Sequence, residues 1–282
     1  YIVILYTFRL TWATFQGCCM CIELSIGTRW NMDQIEQINS LNNDYSENNI
    51  RISEVYGSIQ SSHIALKSAR PDFRLSHCDK KCLIEFTQKA DKYGININYA
   101  ANAPLVDPVC IDTKKIINDL KFLEQIGINK ITISNPLLIS FATENTNLKI
   151  ELSTIANAKY SSALQIYKDM GISSLCYDLY IQRDIEKLTK LNTQATKLGL
   201  KSKLIANEFC MFGVSPCDGI LRTACYNHSA LGGNIEKIYN NWPFGACHQK
   251  RANNQSAWLQ ARFILPQHLI KYKELTGINF FK

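Results

Sequence analysis

The sequence predicts an α/β chain, a (β/α)8 barrel of the TIM type, and three observations lead there. Short runs rich in β-branched and aromatic residues alternate with longer segments of helical periodicity along most of the chain. A glycine stands shortly before a strand run at Gly94, Gly127, Gly171 and Gly199, where a left-handed residue would end a helix. The strand runs are separated by helices and not by hairpin turns, so the strands are parallel and joined by crossovers.

In order, the expected strands are 22–26, 51–56, 95–99, 130–134, 149–153, 174–178, 202–206 and 262–265. Helical spacing between them is seen in Ile116, Leu120, Leu123 and Ile126, and again in Ile185, Leu188, Leu191 and Ala195. Eight such units favour a closed barrel. The alternative, an open doubly wound sheet, lacks the Gly-rich phosphate loop after its first strand. Residues 22–282 form the barrel domain on this reading, and 1–21, which start at Tyr1, read as a poorly structured or truncated tail. The first eight residues are apolar, but they lack the basic flank and cleavage site of a signal peptide and are too short to span a bilayer.

Composition narrows the class. With 46% hydrophobic and 20% charged residues, the 282-residue chain is folded and water-soluble in type, and no repeat suggests a solenoid or propeller. The net charge of +7 is dispersed, which permits an anionic partner such as nucleic acid without requiring one. Eleven cysteines are too sparse and too odd in number for a secreted disulfide scaffold, so a reducing cytoplasm is expected.

In a barrel the chemistry sits at the C-terminal ends of the strands. The polar residues expected there are Glu54, Tyr56, Asn98, Asn102, Ser134, Asn135, Ser153, Thr154, Asp178, Asn207 and Glu208. Asn98, Asn102 and Ser153 are candidates to bind substrate, although Asn, Ser and Asp are also ordinary helix N-caps. No Ser-His-Asp arrangement can be singled out, and no His-Glu-x-x-His helix occurs.

Between the seventh and eighth expected strands lies an insertion, 208–261, far longer than the usual βα loop of about 2–6 residues. Cys210, Cys217, Cys225 and Cys247 fall within it, separated by six, seven and twenty-one residues. Four thiolates on one loop suit a soft-metal centre, an iron-sulfur cluster or zinc. Paired zinc spacing is absent, although Cys225 and His228 form a Cys-x-x-His pair, and the ferredoxin spacing is absent as well. His77, Cys78 and Cys82 form a second small group before a crossover helix, and Cys78 or His228 could stand in for Cys225. Cys110 and Cys176 read as core or loop residues, and Cys18, Cys19 and Cys21 as tail residues.

The stretch IELSTIANAKYSSALQIYKDMGISSLCYDLYIQRDIEKL, the phrase LIANEFCMFGVSPC with its Cys-x6-Cys, the late cysteine before HQKR and the ending FILPQHLIKYKELTGINFFK resemble the collagenase-like peptidase U32 family. The resemblance spans about residues 22–282. It implies a barrel whose cysteines, here Cys210, Cys217, Cys225 and Cys247, hold a 4Fe-4S cluster. Better understood branches hydroxylate RNA bases or the ubiquinone ring without molecular oxygen, drawing the oxygen from prephenate. The usual His-Gly ahead of the first cysteine is replaced here by Asn207-Glu208-Phe209, a divergence that leaves the substrate open. Family members also usually continue past the point at which this chain ends, so a fragment is expected.

The resulting expectation is a cytoplasmic iron-sulfur hydroxylase-like enzyme acting on an RNA base or a small aromatic, with a small-molecule oxygen donor and a possible partner subunit of the same family. Glu208, Asp178 and His228 are candidates to move protons, and Arg222 to hold an anionic group of donor or RNA. The rival readings are a protease, as the family name suggests, or a non-catalytic partner whose metal, zinc included, only steadies a loop.

Overall fold

The structure is a computed structural model, and it describes residues 21–60, 62–70, 72–104, 112–208 and 252–282. Its strands and helices alternate as the pattern demands: β1 (Ile22–Gly27), α1 (Met32–Asp44), β2 (Ile50–Gly57), α2 (Lys80–Lys92), β3 (Asn96–Ala101), α3 (Thr113–Gln125), β4 (Lys130–Ile133), α4 (Pro136–Asn145), β5 (Lys149–Leu152), α5 (Ser161–Asp169), β6 (Ser174–Cys176), α6 (Ile185–Lys197), β7 (Lys201–Lys203), α7 (Leu269–Thr276) and β8 (Phe280–Phe281). Side chains start the helices where the sequence supplies a cap. Asn31, Asp79, Asp112, Asn135 and Asp184 each accept a backbone N–H from the first turn of α1, α2, α3, α4 and α6 respectively. At the other end, Gly94, Gly127, Gly171 and Gly199 all take positive φ before the following strand.

All the strand pairs are parallel, in the order β7-β6-β5-β4-β3-β2-β1-β8. The two edges meet: Leu204 pairs with Phe281, the Leu204 N–H donates to the Phe280 carbonyl, and the Lys282 N–H donates to the Leu204 carbonyl. The sheet is therefore closed into a (β/α)8 barrel. Its apolar core lies between strands and helices, where Val55, Tyr99, Ile131, Ile133, Leu152 and Leu175 are fully enclosed along with Ile35, Phe86, Leu120 and Leu188 from the helices.

The expected eighth strand is misplaced in the sequence reading. Residues 262–265 do not enter the sheet, and β8 is Phe280–Phe281. Segment 262–265 instead lies against the end of β7, where the Ile264 N–H donates to the Ala206 carbonyl at 2.7 Å. Pro266, lacking an N–H, follows at once and opens a short 3-10 turn. The insertion thus sits between β7 and a helix, α7, that ends at Gly277 with φ +74°, a fifth use of the same punctuation.

Candidate active site at the barrel mouth

Barrel interiors of this kind are usually filled by branched apolar side chains. This one holds charges. Contacts between strands that are not neighbours can form only across the interior, and Glu54 of β2 reaches Lys203 of β7 at 2.5 Å and Lys130 of β4 at 2.8 Å. Glu151 of β5 meets Lys203 at 2.7 Å and Lys130 at 3.4 Å. Two carboxylates and two ammoniums compensate one another in a closed group, with Glu54, Glu151 and Lys203 all 2% exposed or less. Neutral donors complete it. Ser25, turned by an irregularity in the register of β1 against β2, donates to Glu54 at 2.6 Å, Asn98 donates to Glu54 at 3.3 Å, and Thr132 donates to Asn98 at 2.7 Å. The Phe280 ring lies 4.3 Å from the Lys203 ammonium.

Electrostatics keeps Glu54, Glu151 and Lys203 ionised. Burial opposes the charge on Glu151, but Lys203 and then Lys130 outweigh it and hold its carboxyl down at about 2. Glu54 is lowered by the same balance, with burial and the nearby Glu151 resisting and the two lysines prevailing. Lys203, desolvated yet flanked by both carboxylates, is pushed above the ordinary lysine value. None of these groups is poised to exchange a proton near neutrality. They form a charged floor.

Inward residues of a strand recur every second position, so Tyr56 and Lys282 stand one layer nearer the C-terminal mouth than Glu54 and Phe280. There the Lys282 ammonium rests 3.5 Å from the centre of the Tyr56 ring. Burial and the like charge of Lys203 lower the Lys282 pKa, while burial raises that of the Tyr56 hydroxyl against the field of Arg70, and Glu208 raises it further. The mouth therefore pairs a hydroxyl that keeps its proton with an amine that releases one more readily than usual.

The residues expected at the rim divide into two sets. Asn98 and Glu54 lie inside the barrel and belong to the floor, not the rim. Ser153 and Asp178 do follow strand ends, and both are buried. Ser153 accepts the Ile155 N–H at 3.3 Å, and Asp178 accepts the Tyr180 N–H at 2.7 Å. Ser134 and Thr154 staple neighbouring strand ends by donating to the carbonyls of Asn102 and Tyr177. Asn102 accepts the Ala69 N–H at 3.1 Å, which fixes the loop after β2. Glu208 is half-buried at the mouth, near enough to be felt by Tyr56.

His228, Arg222, Cys210, Cys217, Cys225 and Cys247 lie outside the described residues. Among the described residues no cluster of three or more His, Cys, Asp or Glu forms a metal site. Cys78 is buried, its thiol raised well above the ordinary value chiefly by desolvation, which opposes a metal-binding thiolate there. Cys176, at the C-terminal end of β6, is likewise raised by burial to about 12.

The chain's relations fit this architecture. The model of peptidase family U32 matches residues 56–200, just over half of the sequence. The chain belongs to that family. A curated relative, the uncharacterized protease MJ1657 of Methanocaldococcus jannaschii, is 22% identical over 192 residues, covering 67% of this chain and 55% of the relative. The chain therefore spans about half the length of that relative. The solved structure of the U32 peptidase Mk0906 superposes with a TM-score of 0.60 over 95% of this chain and 94% of its own, at 10% identity, a likeness of fold. Among the described residues no helix is long and apolar enough to cross a membrane.

The sequence reading missed Lys130, Glu151, Lys203 and Lys282 as site residues. The available signal was a charge inside a parallel strand, as in Lys-Ile-Glu-Leu and Lys-Ser-Lys, where both faces are buried.

Proposed function

We propose that this U32 family member is an enzyme working at the C-terminal mouth of the barrel, with a 4Fe-4S cluster on the segment after β7, and that it hydroxylates an RNA base or a small aromatic without molecular oxygen. One observation carries the reading: both ends of the cysteine-bearing segment are anchored at that mouth. The buried Gln182 side chain donates to the Ile205 carbonyl and to the Arg262 carbonyl, each at 2.7 Å, and Arg183 donates to Ala261 at 2.6 Å. The donor set fits the group, since Cys210, Cys217, Cys225 and Cys247 supply four thiols within 38 residues between those anchors. When bound, the cluster would supply an iron centre able to polarise an oxygen donor.

The chain's own groups then divide the remaining work. The charged floor of Glu54, Glu151, Lys130 and Lys203 closes the inner end of the barrel to bulk water and fixes the field above it. Tyr56 offers a hydrogen-bond donor to substrate, Lys282 accepts a proton, and Glu208 carries protons between the mouth and solvent.

The test is anaerobic purification with iron and sulfide assays. The expected result is a brown protein with about four irons and four sulfides per chain, lost when Cys210 or Cys217 becomes serine. A colourless protein that binds stoichiometric zinc, or no metal, would overturn the cluster. Transfer of one oxygen atom to RNA from a strain lacking the protein, or to a small aromatic, tests the reaction.

A further inference from the structure

On the same face, between the loops that follow β1 and β2, lies a cleft of about 480 Å³ lined by Arg29, Arg70, Arg74, Leu75 and Ser76. Three guanidinium groups line one small concavity and make it a positively charged surface that favours an anion. Among the described residues Arg29 and Arg70 have no carboxylate within 4.0 Å.

Each arginine is presented by a separately fixed piece of backbone. Arg29 precedes Trp30, which takes φ +60°, a conformation that is strained for any residue but glycine. Trp30 is held there because its indole is buried, donates to the Ser58 carbonyl at 3.0 Å and packs edge-on against Phe86 at 5.2 Å. Gly57 admits this loop, since a Cβ at 57 would stand 2.9 Å from Thr28 and 3.0 Å from the Trp30 ring. Arg70 donates its N–H to the buried Ser68 hydroxyl at 3.2 Å, next to the residue gripped by Asn102. Arg74 ends a short 3-10 turn, and the following strand-like bridge of Ser76 to Ile59 ties that turn to the barrel. Strain held in place by buried anchors, presenting Arg29 and Arg70 with no carboxylate within 4.0 Å among the described residues, marks a built binding site.

We propose that this cleft binds a small polyanion, a molecule with two or more phosphate or carboxylate charges, by guanidinium forks. Its volume falls in the range of small-molecule sites, about 300–1,000 Å³. The Arg70 charge also reaches the Tyr56 hydroxyl, so the anionic end of such a ligand would be held beside the barrel mouth. The proposal does not depend on the cluster, because the three arginines belong to the first two βα loops.

Titration calorimetry of the full chain tests it, with inorganic pyrophosphate and malonate as separate probes that distinguish phosphate from carboxylate sources. Saturable binding of at least one is expected. Arg70→Gln should weaken it roughly 10- to 100-fold, and Arg29→Gln with Arg70→Gln should abolish it. Arg70→Lys, which keeps the charge but loses the fork, should fall between. Lys149→Gln, an exposed charge at the opposite end of the barrel, should change nothing. Circular dichroism confirms that each variant is folded; should Arg70→Gln unfold, Arg29→Gln alone should still weaken binding. No saturable binding of either probe, equal affinity in the double variant, equal weakening by Lys149→Gln, or binding of a single-stranded oligonucleotide alone would each overturn the proposal.

Discussion

Replacing Lys203 by Met removes one ammonium from the barrel floor while keeping most of its volume. Two contacts disappear, at 2.5 Å to Glu54 and 2.7 Å to Glu151, and among the described residues Lys130 is left as the ammonium in ion-pair contact with both carboxylates. Breaking a buried ion pair from one side costs about 3–5 kcal/mol, because the abandoned charge stays desolvated. A second route gives a similar size: holding the Glu151 carboxyl at about 2, against an unfolded value of about 4.3, corresponds to about 3 kcal/mol at neutral pH. Against a typical total of about 5–15 kcal/mol, the loss is severe and should lower Tm by about 6–10 °C.

The pH dependence carries the mechanism. In the unaltered chain the lowered Glu151 contributes stability that is present above its unfolded pKa and lost as pH falls through about 4.3 toward about 2. Without Lys203 one of the two carboxyls should instead be raised, and its contribution is then present at low pH and lost as pH rises. The deficit of Lys203→Met should therefore be largest near pH 7 and shrink on acidification to about pH 4. Urea unfolding curves at both values measure it, and Lys203→Met combined with Glu151→Gln should recover more than half by restoring one carboxylate to one ammonium. A deficit below about 1 kcal/mol at neutral pH, or one that is constant across this range, would refute the reasoning.

Three further outcomes are expected. Gln182→Leu removes the side-chain donor shared by the carbonyls of Ile205 and Arg262, so stability should drop by about 2–4 kcal/mol and limited proteolysis between 205 and 262 should accelerate; unchanged cleavage rates would count against the clamp. Gly171→Ala should cost more than Gly199→Ala, because both positions have positive φ but a Cβ at 171 meets Thr143 at 2.9 Å and one at 199 meets nothing within 4 Å; equal Tm losses would show that Thr143 yields freely. Glu208→Gln should preserve folding and iron content while reducing product in an anaerobic assay, and iron loss in that variant would make Glu208 a structural support.

The sequence disclosed the barrel because its signals are local. A capping Asn or Asp, an amphipathic helix, a closing glycine and a β-branched run repeat with the period of the fold, and seven strands lie within a residue or three of their expected bounds. The eighth was misplaced because Arg-Phe-Ile-Leu at 262–265 has strand composition while β8 is only two residues long, and the closing Gly277 that announces it was passed over. The charged floor was illegible for a different reason. Glu54 and Lys203 are 149 residues apart, and nothing in either neighbourhood reveals that barrel closure will bring them together. Asn98, Ser153 and Asp178 were recognised as polar strand-end residues, but residue type alone does not separate a cap from a ligand-binding group.

The Gln182 clamp also sets how freely this barrel can be altered. Because one side chain fastens residues 205 and 262 to the same point, the geometry of the excursion's two ends is decided by the barrel and not by what lies between them. The entropy of closing a loop grows only with the logarithm of its length, so doubling the intervening chain costs about 0.6 kcal/mol. Segments of other lengths can thus be exchanged at this junction while the strands, the ion group and the arginine cleft keep their places. On this scaffold the stretch of chain between residues 205 and 262 is the exchangeable part.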